Sequence, residues 1–329
     1  MVERIHDQIW SGVGAEIRNS LEARLGARYA RQRLGIEKDH EAQVFGQGLS
    51  FFHIENLLVA PALIRTVLKA SFLYERGCRN AARVTVTHNE VRSRRLPASF
   101  DGFTILQLSD LHADLSREAM ARTAELLPGL DYDLCVLTGD YRGQTYGPFE
   151  PALAEMRRLR PHLRGALYGV LGNHDTILML PELEAMGIAM LLNEAITIER
   201  GGDRIHLAGV DDAHFYRVDN IEKAASGIPA HEFSVLLSHT PEIYRQAGHA
   251  DFDLCLAGHT HGGQICLPGG IPLTLGAALP RSKGAGRWEH TEMVGYTSLG
   301  AGSSVVPVRF NCAPEITLHY LRRVSSEAQ

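Results

Sequence analysis

The chain has 329 residues, enough for one large domain with an appendage or for two domains. It is 45% hydrophobic and 22% charged, an ordinary globular balance that excludes fibrous and low-complexity classes. With a formal charge of −5 there is no overall basic field to hold a nucleic-acid backbone, which argues against a nuclease.

The N-terminus, MVERIHDQIW, has no apolar core after its charges, so no secretory signal is read there and a cytoplasmic location is expected. Residues 1–82 read as a helical segment. Ile5, Ile9, Val13, Ile17, Leu21 and Leu25 recur every fourth position and form one apolar stripe. The stripe is expected to dock on the main domain or on a second copy in a homodimer. The sharper alternative is a peripheral contact with the inner membrane surface through 51–74, FFHIENLLVAPALIRTVLKASFLY. Its uninterrupted apolar run, Leu57 to Ile64, is far shorter than the ~20 residues a span requires.

From residue 83 to 322 the pattern changes. RVTVTHNEV (83–91) alternates as a strand. Apolar runs then recur, each closing in a polar cluster: FTILQLSDLH (103–112), DLCVLTGDY (133–141), ALYGVLGNHD (166–175), EFSVLLSHTP (232–241) and DFDLCLAGHTHGG (251–263). Helix-like stretches at 116–127 and 151–160 separate the first of them. Strands alternating with helices predict a layered, largely parallel α/β sheet, in which ligands bind at the carboxyl ends of the strands. Residues 294–321 read as short strands with Gly and Pro turns, and 323–329 as a tail. Five scattered cysteines without a CxxC pair fit a reducing compartment, with Cys135 and Cys255 as small core residues.

The strand ends collect Asp110, His112, Asp140, Asn173, His174, Asp175, His239, His259 and His261. Each alone is ordinary: Asp140 reads as a cap or turn residue, His239 as a bonded loop residue, Asn173 as a turn residue. Together they bring carboxylate, imidazole and amide from five separate junctions. Nitrogen and oxygen donors without a thiolate suit Mn, Fe or Zn better than a structural zinc site.

The series DLH (110–112), GD (139–140), GNHD (172–175), SH (238–239) and GHTH (258–261) resembles the motif order of the calcineurin-like metallophosphoesterases, over about residues 84–321. GHTHGGQICLPGG and PVRFNCAPEI are also similar to a subgroup of bacterial membrane-associated or exported phosphodiesterases. The resemblance implies a four-layer α/β/β/α sandwich and two divalent metals. Asp110, His112 and His261 would bind one, Asn173, His239 and His259 the other, and Asp140 would bridge both. His259 and His261, two apart in an extended stretch, would face neighbouring metals about 3.5–4 Å apart. His174 would assist the leaving oxygen, held by Asp175 through its other ring nitrogen. The implied activity is hydrolysis of a small-molecule or lipid-linked phosphoester by a metal-bridging hydroxide. Alternatives are a UDP-2,3-diacylglucosamine-type lipid pyrophosphatase and a non-catalytic scaffold. Asp211, Asp212 and His214 are read as pocket or turn residues, Asp114 as a neighbour of the site, Arg309 and Asn311 as phosphate contacts or tail anchors, and Lys283 and Arg287 as a lid.

Overall fold

The structure is a computed structural model that describes residues 9–46 and 60–324. Its strands, in chain order, begin with β1 (Thr85–Ser93), β2 (Thr104–Leu108), β3 (Leu134–Leu137), β4 (Ala166–Gly169) and β5 (Ile188–Met190). There follow β6 (Glu194–Arg200), β7 (Asp203–Gly209), β8 (Ser234–Leu237) and β9 (Leu254–Ala257). The chain ends with a short hairpin of β10 (Cys266–Leu267) and β11 (Ile271–Pro272), then β12 (Gly286–His290), β13 (Met293–Thr297) and β14 (Glu315–Arg323). One six-stranded sheet has the order β1-β14-β2-β3-β4-β5, and a second has the order β12-β13-β9-β8-β7-β6. The central pairs β2–β3–β4–β5 and β7–β8–β9 are parallel.

The sequence explains why these strands are central. TILQL, LCVL, SVLL and LCLA are buried at every position. Continuous apolar runs are what a parallel strand covered on both faces needs. Ile105, Val136, Val235, Leu237, Leu254 and Leu256 join one core between the sheets. A larger core lies on the other face of the first sheet and a smaller one on the other face of the second, each containing helical residues. The chain is therefore a four-layer α/β/β/α sandwich. One polar residue crosses the inner core: Gln107 donates to Thr138 Oγ1 and to the Ala257 carbonyl of the opposite sheet, both at 3.0 Å, and its Oε1 lies 2.9 Å from His319 Nε2.

At the N-terminal end, helix α1 (Ala15–Leu25) is followed by α2 (Ala27–Gly46), and further on α3 (Ala60–Ala70) by α4 (Tyr74–Ala81). The apolar stripe packs on the main domain: Leu21 is fully buried, and Ile9, Val13, Ile17 and Leu25 lie against the largest core cluster. Ile5 falls outside the described residues, as does 51–59 of the apolar segment. No helix among the described residues is long and apolar enough to cross a membrane.

A buried polar cluster also fixes α2. Arg33, with no exposed surface, pairs with Glu37 at 2.5 Å and with Asp211 at 3.0 Å, and lies 3.9 Å over the Tyr216 ring. Glu37 in turn accepts from Thr176 Oγ1 at 2.5 Å and from the Ile177 amide at 2.8 Å. This helix thereby holds the turn that follows Asn173.

Candidate metal centre

The loops after β2, β3 and β4 of the first sheet and after β8 and β9 of the second converge at the carboxyl ends of their strands. They bring all seven expected ligands into one cluster. Six are buried, with relative exposures of 0–5%, and His259 is half-buried. Five of the seven have left-handed backbone: Asp110 at φ 50°, His112 at 38°, Asp140 at 57°, His259 at 72° and His261 at 50°. Side chains other than glycine rarely adopt this region, each at a cost on the order of 1–3 kcal/mol, and such strain concentrates at functional sites. Glycines make the space: a side chain at Gly172 would overlap the Asp140 carboxylate, and one at Gly258 would overlap Asp110.

The donors form two groups. Asp110, His112 and His261 offer atoms within 4.8 Å of one another, as do Asp140, His239 and His259. In the first, His112 Nε2 and His261 Nε2 are 3.0 Å apart and His261 Nε2 is 3.5 Å from Asp110 Oδ1. In the second, Asn173 Oδ1 lies 2.9 Å from His239 Nε2 and 2.8 Å from His259 Nδ1. Asp140 Oδ2 faces both groups, 3.7 Å from His112 Nε2 and 3.3 Å from His239 Nε2.

The far ring nitrogens decide what the converging ones can do. His112 Nδ1 donates to the Arg142 carbonyl at 2.8 Å, and His239 Nδ1 to the Thr138 carbonyl at 2.8 Å. Each ring is thereby fixed with its Nε2 turned inward. His259 is reversed: its Nε2 faces the Gly276 carbonyl at 3.3 Å and its Nδ1 points inward. Imidazole nitrogens and carboxylate oxygens aimed at common points fit divalent cations. His261 differs, because its Nδ1 meets the Arg309 guanidinium at 3.1 Å.

Burial and charge pull these groups apart. Burial lowers His239, but Asp140 beside it prevails and raises the ring to about 10. Burial raises Asp140, but His239 and His174 hold it well below the ordinary carboxylate range. Burial drives His259 and His261 well below the usual imidazole value, and His174 down to about 3 against the pull of Asp140.

Two expectations are corrected in detail. His259 and His261 reach different groups through a turn rather than an extended stretch, with Thr260 between them at φ −74°. Asp175 does not hold the His174 ring. Its carboxylate accepts the amides of Asp140 at 2.8 Å, Tyr141 at 2.9 Å and Gly172 at 2.9 Å, because it turns back beneath the loop after β3. The His174 Nδ1 instead meets Thr145 Oγ1 at 3.2 Å, and Arg142 donates to the His174 carbonyl. Sequence reasoning passed over Thr145 and Arg142, since nothing in YRGQT marks them before the loop closes.

The secondary candidates are tied into the structure. Asp211 pairs with Arg33, Asp212 accepts the amides of His214, Phe215 and Tyr216, and the His214 ring lies 4.1 Å from that of His259. Asp114 accepts the Gly143 amide. Arg309 donates to the carbonyls of Leu299, Gly300 and Gly302, and Asn311 to that of Cys266, so both anchor the tail. Lys283 and Arg287 donate to the Glu289 and Glu90 carbonyls.

Residues 103–263 match the family described as calcineurin-like phosphoesterase. The chain is 32% identical over 310 residues to a Bos taurus protein named "Transmembrane protein with metallophosphoesterase domain", covering 86% of this chain and 68% of that one. It is also 32% identical over 278 residues to the Danio rerio protein of the same name, covering 78% of this chain and spanning only 61% of that relative. The Escherichia coli protein named "Phosphodiesterase YaeI" is 29% identical, over 66% of this chain and 81% of its own length. Fold, donor set and sequence agree on a metallophosphoesterase. The chain belongs to the calcineurin-like phosphoesterase family.

Proposed function

We propose that this chain hydrolyses phosphodiesters at a pair of divalent cations, with residues 83–322 as the catalytic domain and 1–82 as an N-terminal segment that braces it through α1 and α2. The observation that carries the reading is the Asp140 carboxylate, which faces both donor groups at 3.7 and 3.3 Å. Asp110, His112 and His261 would hold one cation, and Asn173, His239 and His259 the other, with Asp140 common to both. When bound, such a pair supplies Lewis acidity toward a phosphoryl oxygen and toward the attacking water. Mn, Fe and Zn all suit these donors.

The chain's own residues do the rest. Water's oxygen adds to phosphorus, the P–O bond to the leaving group breaks, and the departing oxygen needs a proton or a hydrogen bond. His174 stands beside Asp140, with its Nε2 at 3.9 Å from Asp140 Oδ2 and its Nδ1 on Thr145. A Thr145 hydroxyl donating to Nδ1 leaves Nε2 protonated and aimed into the site, where it serves the leaving oxygen. Asp175 shapes the Asp140 and Gly172 backbone rather than the imidazole. The diester preference is supported by the name of the E. coli relative.

The test is hydrolysis of bis(4-nitrophenyl) phosphate against the matching monoester, by protein stripped of metal and refilled with Mn, Fe or Zn. Metal-dependent diester cleavage that Asp140→Ala removes is expected. No turnover together with no bound metal would instead indicate a scaffold that keeps the fold without the chemistry.

A further inference from the structure

Asp140, His174, His259 and His261 share a cavity of about 510 Å³, within the roughly 300–1,000 Å³ of small-molecule sites. Its walls are apolar: Ile64 of α3, Ile265, Leu273, Leu275, Val305 and Val306. Among the described residues, the lining contains no Lys, Arg or Glu. Two of its polar wall residues, Thr260 and Gln264, are already used. Thr260 Oγ1 donates to the Gly284 carbonyl at 2.6 Å. The Gln264 amide spends both ends on the backbone of residues 304 and 306. The remaining polar side chains of the walls, Thr274 and Ser304, carry hydroxyls and no charge.

The same apolar character continues outward. Among the described residues, the large hydrophobic side chains left exposed fall on two stretches. One is α3 and the turn after it, with Leu63, Val67 and Phe72. The other is the β10–β11 hairpin and the strand exit beside it, with Leu267, Ile271 and Leu273. Each stretch also supplies a wall of the cavity, through Ile64 and Leu273. Apolar surface that adjoins a phosphoester site is suited to the apolar part of the substrate itself.

Resting on the phosphoester reading above, we propose that the substrate is a lipid phosphoester, whose alkyl or acyl chain lies in this trough while its phosphate meets the donor groups. Hydrolysis breaks one P–O bond, with water's oxygen going to phosphorus and a proton to the leaving oxygen, and the chain-bearing product leaves through the apolar mouth.

The experiment compares methyl and octyl 4-nitrophenyl phosphate, both monomeric in solution, with the Mn-loaded protein. Fully burying one methylene is worth a factor of about four. In a half-open trough, kcat/KM is expected to rise at least about tenfold from methyl to octyl. Leu273→Asp and Ile64→Asp are expected to lower the octyl-to-methyl ratio toward one, whereas a folding defect would lower both rates alike. Calorimetry supplies a readout without turnover: octyl phosphate should bind about tenfold tighter than methyl phosphate, with a negative heat-capacity change. Equal rates and equal binding across the pair would overturn the lipid proposal alone and assign the trough to other parts of the chain. Failure to cleave either ester would remove the phosphoester reading and this inference with it.

Discussion

Thr145 Oγ1 lies 3.2 Å from His174 Nδ1, and when its hydroxyl donates there the ring's proton stays on Nε2. Burial drives the ring down to about 3, so at neutral pH it is uncharged and its tautomer decides whether Nε2 can donate. His174→Ala is therefore expected to lower kcat by on the order of 10²–10⁴-fold, the usual contribution of a positioned acid or donor. Metal content, read by elemental analysis, should stay close to that of the parent, since neither donor group needs this ring. Loss of metal in His174→Ala would refute the division of roles. Thr145→Val, which keeps the shape and removes the hydroxyl, should lower kcat by a smaller factor and leave KM nearly unchanged. An unaltered kcat would show that the hydroxyl does not set the tautomer.

At the scale of elements, α2 does more than cover the first sheet. Its Arg33 and Glu37 lie one helical turn apart, a spacing that on sequence alone describes a surface ion pair of small worth. In the fold both are buried, bound to Asp211, Thr176 and Ile177. Removing one partner of a buried pair strands the other charge, at about 3–5 kcal/mol. Arg33→Ala should therefore lower the denaturation midpoint strongly, while Arg18→Ala, in the half-exposed Arg18–Glu22 pair at 3.1 Å, should change it little. Similar losses in both variants would contradict the clamp. Because Glu37 also holds the turn after Asn173, Glu37→Gln should reduce kcat beyond what its stability loss explains at a temperature where it is fully folded. The helical stripe was legible because apolar periodicity records burial. The polar clamp was not, because a charge carries no mark of being buried until its partners, 139 to 178 positions away, are brought to it.

Taken whole, the molecule places its donors on two separately hydrogen-bonded sheets. Asp110, His112, Asp140 and Asn173 follow strands of the first, and His239, His259 and His261 follow strands of the second. The layered fold and the convergence of these residues could be read from the sequence, because apolar runs ending in polar clusters encode strand and strand end together. The left-handed backbone at five of the candidate ligands, the turn within HTH and the apolar trough could not, since each depends on which loops meet. The division between sheets has a thermodynamic consequence. Cations that bind only where loops of both sheets are in place stabilise the folded state by an amount that grows with concentration over Kd, ~2.7 kcal/mol at a hundredfold excess. Chelation should accordingly lower the thermal midpoint by several degrees, and Mn or Zn should restore it in a concentration-dependent way. Asp140→Ala, which removes the carboxylate common to both groups, should abolish most of the metal-dependent rise. Asp114→Ala, whose carboxylate only accepts the Gly143 amide, should keep that rise in full. A midpoint indifferent to metal, in protein that elemental analysis shows to be loaded, would mean that the centre forms without drawing the two sheets together.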